Sequence, residues 1–239
     1  LSVKDSLSVI IPAFNEAERI SPVLDSLHEF SNEDLLIEEI IIVNDGSTDK
    51  TLEVLKHFLD PRLKVVTLSK NIGKGGALKE GVAKAKSDFI LLMDADGSTP
   101  ITEANKLYSS LKLKNGDIAI GSRVLKDEKS VVKARLHRKI LGSIFRTLVT
   151  QLKLGDFKDT QCGFKLFKCK IAKDLFSELT TNRFAFDLEI LMRARAKEYS
   201  IIEVPISWTH HKGSKINLFW DCLEMGWQLL RLSFMEKTK

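Results

Sequence analysis

Asp94 and Asp96 stand one residue apart, directly after the apolar run Phe89 to Met93. Paired carboxylates at the end of a buried strand can share a divalent cation: Mg²⁺ and Mn²⁺ take hard oxygen ligands and commonly bridge carboxylates to a substrate diphosphate. Ser98 offers one more oxygen two residues on. The same residues could instead cap a helix beginning near Thr102. A second cluster, Asn44-Asp45-Gly46-Ser47 with Asp49, also ends an apolar run. A carboxylate there could accept from the N–H groups of a base or the hydroxyls of a ribose. The alternative is an ordinary turn with Ser47 or Thr48 as helix N-cap. Pro12-Ala13-Phe14-Asn15-Glu16 closes the first apolar run, and Asn71-Ile72-Gly73-Lys74-Gly75-Gly76 has the composition of a phosphate-cradling loop. It is not a Walker A, because no Ser or Thr follows Lys74. It is not GxGxxG either, because Leu78 stands where the last glycine belongs.

Other reactive types fit chemistry less well. Cys162, Cys169 and Cys222 have no CxxC spacing and are too scattered for a disulfide framework, and the first two are read as small, buried, reduced residues. His210 and His211 are adjacent and diverge if extended, so they are read as non-ligands. Asp187 and Glu189 are two apart on a helix, so at most one should face a site. From Arg123 to Arg146 eight Lys or Arg stand against two acids, with an apolar stripe through Leu136, Ile140, Ile144 and Leu148.

These residues need a scaffold. Strands are expected at Leu7 to Pro12, Glu39 to Val43, Lys64 to Leu68, Phe89 to Met93 and Asp117 to Ser122, with helices between them. Runs apolar on both faces and separated by single helices predict an α/β fold with a mostly parallel central sheet. Phe89 to Met93, apolar throughout, belongs at its centre. In such sheets ligands sit beyond the C-terminal strand ends, where the Asn, Asp, Gly and Pro clusters fall. A helix near Phe186 to Lys197 and a strand at Ser200 to Val204 follow. A last helix places Trp220 and Trp227 on an apolar face. We divide the chain into one domain, 1–215 (a nucleotide-binding half, 1–122, and an acceptor-binding half, 123–215), and a C-terminal amphipathic helix, 216–239. With 239 residues, 44% hydrophobic and 29% charged, the composition is globular and excludes disorder. No apolar run reaches the roughly 18 residues of a membrane-spanning helix. The N-terminal residues do not read as a signal peptide, and the lack of Met suggests a trimmed or processed chain.

In order and spacing the motifs resemble the family 2 glycosyltransferases, which have a GT-A fold and use nucleotide-activated sugars. Pro12 to Glu16, Asn44 to Ser47, Asn71 to Gly75, Asp94 to Asp96 and Gly121-Ser122-Arg123 all match that family. Asp159-Thr160-Gln161-Cys162-Gly163-Phe164-Lys165, Phe186 to Glu189 and Trp208…Gly213-Ser214-Lys215 resemble the branch that makes dolichyl-phosphate glucose. Dolichyl-phosphate mannose synthases are near relatives. Eukaryotic glucosyl enzymes of this branch carry an N-terminal membrane helix, and residues 1–239 show no such run.

The resemblance implies an inverting transferase moving a hexose, with UDP-glucose favoured over GDP-mannose, to a dolichyl or polyprenyl phosphate. It implies Mg²⁺ or Mn²⁺ on Asp94, Asp96 and Ser98. Pro12, Phe14, Glu16, Asp45, Ser47, Lys74, Asp94 and Gln161 would hold the nucleotide sugar. Asp96, Asp159, Arg123 and Arg138 would act in catalysis, the two arginines gripping the acceptor phosphate. A soluble sugar acceptor is the alternative within enzymes. A nucleic-acid-binding role for the basic stripe is disfavoured, since only Phe145 interrupts it with an aromatic ring. Peripheral membrane contact through the second half is expected, at the cytosolic face of the endoplasmic reticulum or of a prokaryotic plasma membrane.

Overall fold

The computed structural model describes residues 4–126, 132–133, 157–183 and 185–210. The Ile- and Val-rich runs become β1 (Asp5–Ala13), β2 (Leu35–Asn44), β3 (Leu63–Thr67), β4 (Phe89–Leu92) and β5 (Ile118–Ser122). Helices α1 (Ile20–His28), α2 (Thr51–His57), α3 (Lys74–Lys84) and α4 (Ala104–Lys114) alternate with them, as the periodicity predicts. Beyond β5 come β6 (Val132–Lys133), β7 (Lys165–Lys168), α5 (Cys169–Ser177), α6 (Phe186–Ala196), β8 (Ile201–Pro205) and β9 (Trp208–Thr209).

Seven strands form one sheet in the order β3-β2-β1-β4-β7-β5-β8, and β6 pairs with β9 in a separate ladder. β4 is fourth of the seven, the central place its uninterrupted apolar sequence demands. β1 pairs in parallel with β2 on one side and β4 on the other. The chain therefore winds outward to β3, then crosses back to start again beside β1. A crevice opens at that switch point, beyond the carboxyl ends of β1 and β4. Pro12 shows where it begins. The β1–β4 ladder ends at Ile10 opposite Leu92, and the Ile10 carbonyl accepts the Met93 N–H. By strand alternation Pro12 turns its nitrogen to the same side, past the end of that ladder. Its missing N–H therefore costs no sheet bond.

The sheet is mostly parallel, as expected, and β7, where the sequence reading places no strand, is antiparallel to both β4 and β5. Four residues flanked by lysines are too short for a periodic signal. Its placement lays the run 159–165 beside the end of β4. The sheet is covered on both faces. Val9, Ile11, Ile40, Ile42 and Leu91 pack with α1 and α4, while Ile10, Ile41, Val43, Ile90 and Leu92 pack with α3, α5 and α6. This alternation is the period-two geometry of a strand buried on both sides.

Candidate active site

Asp94 leaves β4 into the crevice and its carboxylate lies directly against Gly163. A Cβ at Gly163 would stand 2.4 Å from Asp94 Oδ2 and 2.7 Å from Oδ1. Only glycine allows this approach. On its other side Asp94 Oδ1 accepts from the Lys74 ammonium at 2.5 Å. Burial pushes the Asp94 carboxyl up, but Lys74, Arg123 and Lys165 outweigh it and hold it below the usual range. Burial likewise opposes the Lys74 charge, and Asp94, Asp187 and Asp96 overcome it to raise the ammonium above its ordinary value. After Asp96 the chain turns through Gly97 at φ +67°, and Asp96 Oδ1 accepts the Ser98 N–H at 2.9 Å. The buried Ser98 hydroxyl has no hydrogen-bond partner among the described residues. Among those residues no three His, Cys, Asp or Glu side chains converge as a metal cage. The helix-cap alternative fails, because the short 3₁₀ turn at Ile101–Glu103 has no side-chain cap.

The run 159–165 is held from several directions. Asp159 is buried and binds Arg123 through both oxygens: Oδ2 accepts from Nε at 2.8 Å and from the backbone N–H at 2.9 Å, and Oδ1 accepts from Nη2 at 2.8 Å. Desolvation raises the Asp159 carboxyl, but the Arg123 bonds dominate and keep it below the usual carboxylate range. The Arg123 guanidinium also lies over the Trp208 ring, 5.6 Å from its centroid, and His210 stacks on that ring. Glu203 on β8 fixes the start of the run by accepting the Lys158 and Asp159 N–H groups. Lys165 is only 1% exposed; its ammonium donates to the Thr160 and Cys162 carbonyls and to Asp187. Burial raises the Asp187 carboxyl, and Lys165 and Lys74 only partly offset it. The Cys162 thiol is pushed up to about 11 by burial and Asp159, so it is protonated at neutral pH and no nucleophile. Gln161 Nε2 is buried without a partner among the described residues.

Across the crevice, Asp45 does not stand free. Its two oxygens accept the Ile72 and Gly73 N–H groups at 2.8 and 2.9 Å, tying the glycine loop to the end of β2. Gly73 sits at φ +93°, where a side chain would be strained. Ser47 does not cap α2; its hydroxyl accepts the Asn15 N–H. Asn15, at φ +56°, returns the bond by accepting the Thr48 N–H, and Thr51 accepts the Glu16 N–H. Glu16 pairs with Arg19. Phe14 is half-buried at the same strand end. The ends of β1 and β2 are thus knitted into one wall.

Pro12, Phe14, Glu16, Asp45 and Ser47 accordingly share one wall, while Lys74, Asp94, Asp96, Ser98, Arg123, Asp159 and Gln161 lie around the end of β4. Asp187 turns to Lys165, and Glu189 accepts from Thr180 and Thr181, so the two diverge as helix geometry requires. Arg138, the Gly213-Ser214-Lys215 element, His211 and the helix 216–239 lie outside the described residues. Glu203 escaped the sequence reading, and Lys165 entered it only as the last residue of the 159–165 run, since neither shows its role until the fold brings backbone groups to it.

The description "Glycosyl transferase family 2" matches residues 8–176. A dolichyl-phosphate beta-glucosyltransferase of Dictyostelium discoideum is 37% identical over 95% of this chain and 74% of the relative. The Homo sapiens enzyme of that name is 35% identical over 94% of this chain and 74% of its own length. Among solved structures, glucosyl-3-phosphoglycerate synthase from Mycobacterium tuberculosis with UDP superposes at TM-score 0.73 and 20% identity, covering 97% of this chain and 79% of that one. The same enzyme with Mn²⁺, UDP-glucose and phosphoglyceric acid gives TM-score 0.71 at 20% identity, over 95% and 77% of the two chains. At that identity the likeness speaks for the fold, which is GT-A. The match over most of the sheet and the identity across nearly the whole chain place this protein by descent: it belongs to glycosyl transferase family 2.

Proposed function

We propose that this chain transfers glucose from UDP-glucose to dolichyl phosphate or a similar polyprenyl phosphate, with inversion, at the cytosolic face of a membrane. The observation that carries this reading is the near full-length similarity to relatives named for that reaction, with the 159–165 run folded against Asp94. The wall made by Pro12, Phe14, Glu16, Asp45 and Ser47 suits the nucleoside, and the half-exposed Asp94 and Asp96 suit its diphosphate.

The residues fit a divalent cation. Two carboxylates and an orphaned buried hydroxyl, Ser98, form a hard oxygen set of the kind Mg²⁺ and Mn²⁺ accept, with phosphate and water completing it. Such an ion supplies Lewis-acid neutralisation of the departing diphosphate. The chain's own part is to orient and bind. Gln161 Nε2 is an unspent donor for a sugar hydroxyl. Arg123, already aligned by Asp159 and Trp208, presents a fixed cation to the acceptor phosphate, with Arg138 as its assigned companion. A phosphate monoester has its second pKa near ~6 and is largely dianionic at neutral pH. It needs positioning rather than deprotonation, and Asp159, with both oxygens committed to Arg123, is placed to orient that cation.

The test is a panel of UDP- and GDP-sugars with dolichyl phosphate, reading lipid-linked product and its anomer, with and without EDTA. UDP-glucose should give a β-linked, metal-dependent product. Preferential use of GDP-mannose, or product on a soluble sugar alone, would replace the donor or the acceptor assignment.

A further inference from the structure

The Lys74–Asp94 pair sets an ammonium in competition with a metal at Asp94, because the ammonium already holds one of the two carboxylate oxygens. Lys74 is the first residue of α3, and the backbone around it is pinned. A Cβ on Gly73 would meet the Asn182 carbonyl at 2.5 Å, and one on Gly75 the Thr181 carbonyl at 2.6 Å. The Asn182 carbonyl also accepts the Gly76 N–H. Asp94 cannot retreat either, since Gly163 backs its carboxylate. Between two fixed backbones, the flexible four-carbon stem of Lys74 is what can move. Its ammonium lies 5.8 Å from the Phe186 ring centroid, next to the Asp187 that Lys165 already engages.

We infer that Lys74 is a resident counter-ion that a divalent cation must displace from Asp94, and that the displaced ammonium pairs with the donor's diphosphate. This rests on the reading of Asp94 as a metal ligand. Two cations cannot share one carboxylate oxygen without strong repulsion, so the ion alone binds weakly. The diphosphate brings the negative charge that both cations need. Metal and nucleotide binding are then mutually dependent, and the dependence is reciprocal, each tightening the other by the same factor. Before the donor arrives, Lys74 neutralises the half-exposed Asp94 carboxylate, whose charge is partly desolvated in the crevice.

The experiment measures Mn²⁺ binding by electron paramagnetic resonance, with and without UDP, on wild type, Lys74→Gln, Lys74→Met, Lys74→Arg and Asp94→Asn. Circular dichroism on each establishes that it is folded, and the second neutral variant covers failure of the first. Without UDP, Lys74→Gln or Lys74→Met should bind Mn²⁺ about tenfold tighter than wild type, while Lys74→Arg stays close to wild type. The factor by which UDP tightens Mn²⁺ binding should shrink about tenfold in the neutral variants, a typical allosteric coupling in size. Equal Mn²⁺ affinity in wild type and the neutral variants, abolished by Asp94→Asn, overturns the counter-ion role and leaves the metal assignment standing. Mn²⁺ binding untouched by Asp94→Asn, or absent from every variant even with UDP, overturns the metal assignment and the inference together.

Discussion

Asp159 and Gly163 act on the site through single contacts whose loss can be measured. Asp159 is held below the usual carboxylate range by Arg123, despite its burial. A carboxylate depressed in the folded state adds stability that is present above its unfolded pKa, about 3.9, and lost as pH falls through the folded value. The stability gap between wild type and Asp159→Asn should therefore be flat from pH 5 to 8 and close at lower pH, as urea unfolding across pH reads directly. The same variant should transfer glucose more slowly yet keep an acidic limb near ~6, the acceptor's own second pKa. A mutant rate independent of pH from about 5 to 8 would show instead that Asp159 is the base. Gly163→Ala tests the other contact. Its Cβ would enter Asp94's oxygen at 2.4 Å, so the carboxylate must shift. A displacement of about 1 Å in a reacting constellation costs on the order of 10²-fold in rate. Turnover should fall by about that much while the far-ultraviolet spectrum is unchanged; full activity in Gly163→Ala would mean that Asp94 has room to spare.

Between elements, the Lys165–Asp187 pair joins the first residue of β7 to the first turn of α6 in the interior. It also holds the Thr160 and Cys162 carbonyls, so one ammonium braces the run that presses on Asp94. Removing one partner of a buried pair leaves the other charge uncompensated and typically costs about 3–5 kcal/mol. Lys165→Met should lose stability of that order in urea unfolding, whereas Lys165→Met with Asp187→Leu should recover a large part of it. A single mutant as stable as wild type would mean that the pair is hydrated and structurally idle. This brace also marks where sequence reading stops. The five parallel strands and their helices were legible because β1, β2 and β4 are apolar on both faces and the shorter β3 and β5 alternate with runs of helical spacing. Asp94, Asp96 and Asp45 followed from their strand ends. β7 was not legible: four residues give no period, and the antiparallel direction is a property of the sheet. Nor was the role of Lys165, since lysine is almost never fully buried without a partner and the partner lies 22 residues away. Ser47 shows a third limit: its residue type suggested a helix cap, but the neighbouring strand end supplied a better donor in Asn15.

For the whole molecule the question is how a protein of this size would meet a lipid acceptor. No helix among the described residues is long and apolar enough to cross a membrane. The formal charge is +5, and the basic excess gathers in one stretch: eight Lys or Arg against two acids from Arg123 to Arg146. The first residue of that stretch, Arg123, follows the end of β5 beside the crevice, and 127–131 and 134–146 lie outside the described residues. Lys and Arg near an anionic leaflet contribute about 1 kcal/mol each, and several together can hold a protein peripherally without a spanning segment. Apolar residues at helical spacing on the same stretch would enter the headgroup region, and the Trp220 and Trp227 face of 216–239 has the same composition. We propose this basic stretch as the membrane surface. Attraction of that kind is screened over roughly 8 Å at physiological ionic strength, so it must weaken as salt rises. Co-sedimentation with anionic liposomes should be strong at low salt, weaker at high salt and slight with neutral lipid. Changing Lys133, Arg135 and Lys139 together to Glu should abolish the low-salt binding. The triple mutant should still use a short, water-soluble polyprenyl phosphate, because these three residues are not assigned to the crevice itself. Wild-type protein that ignores anionic liposomes, or a triple mutant that sediments with them as well as wild type, would move the membrane surface elsewhere. The lipid phosphate would then have to reach Arg123 from another side.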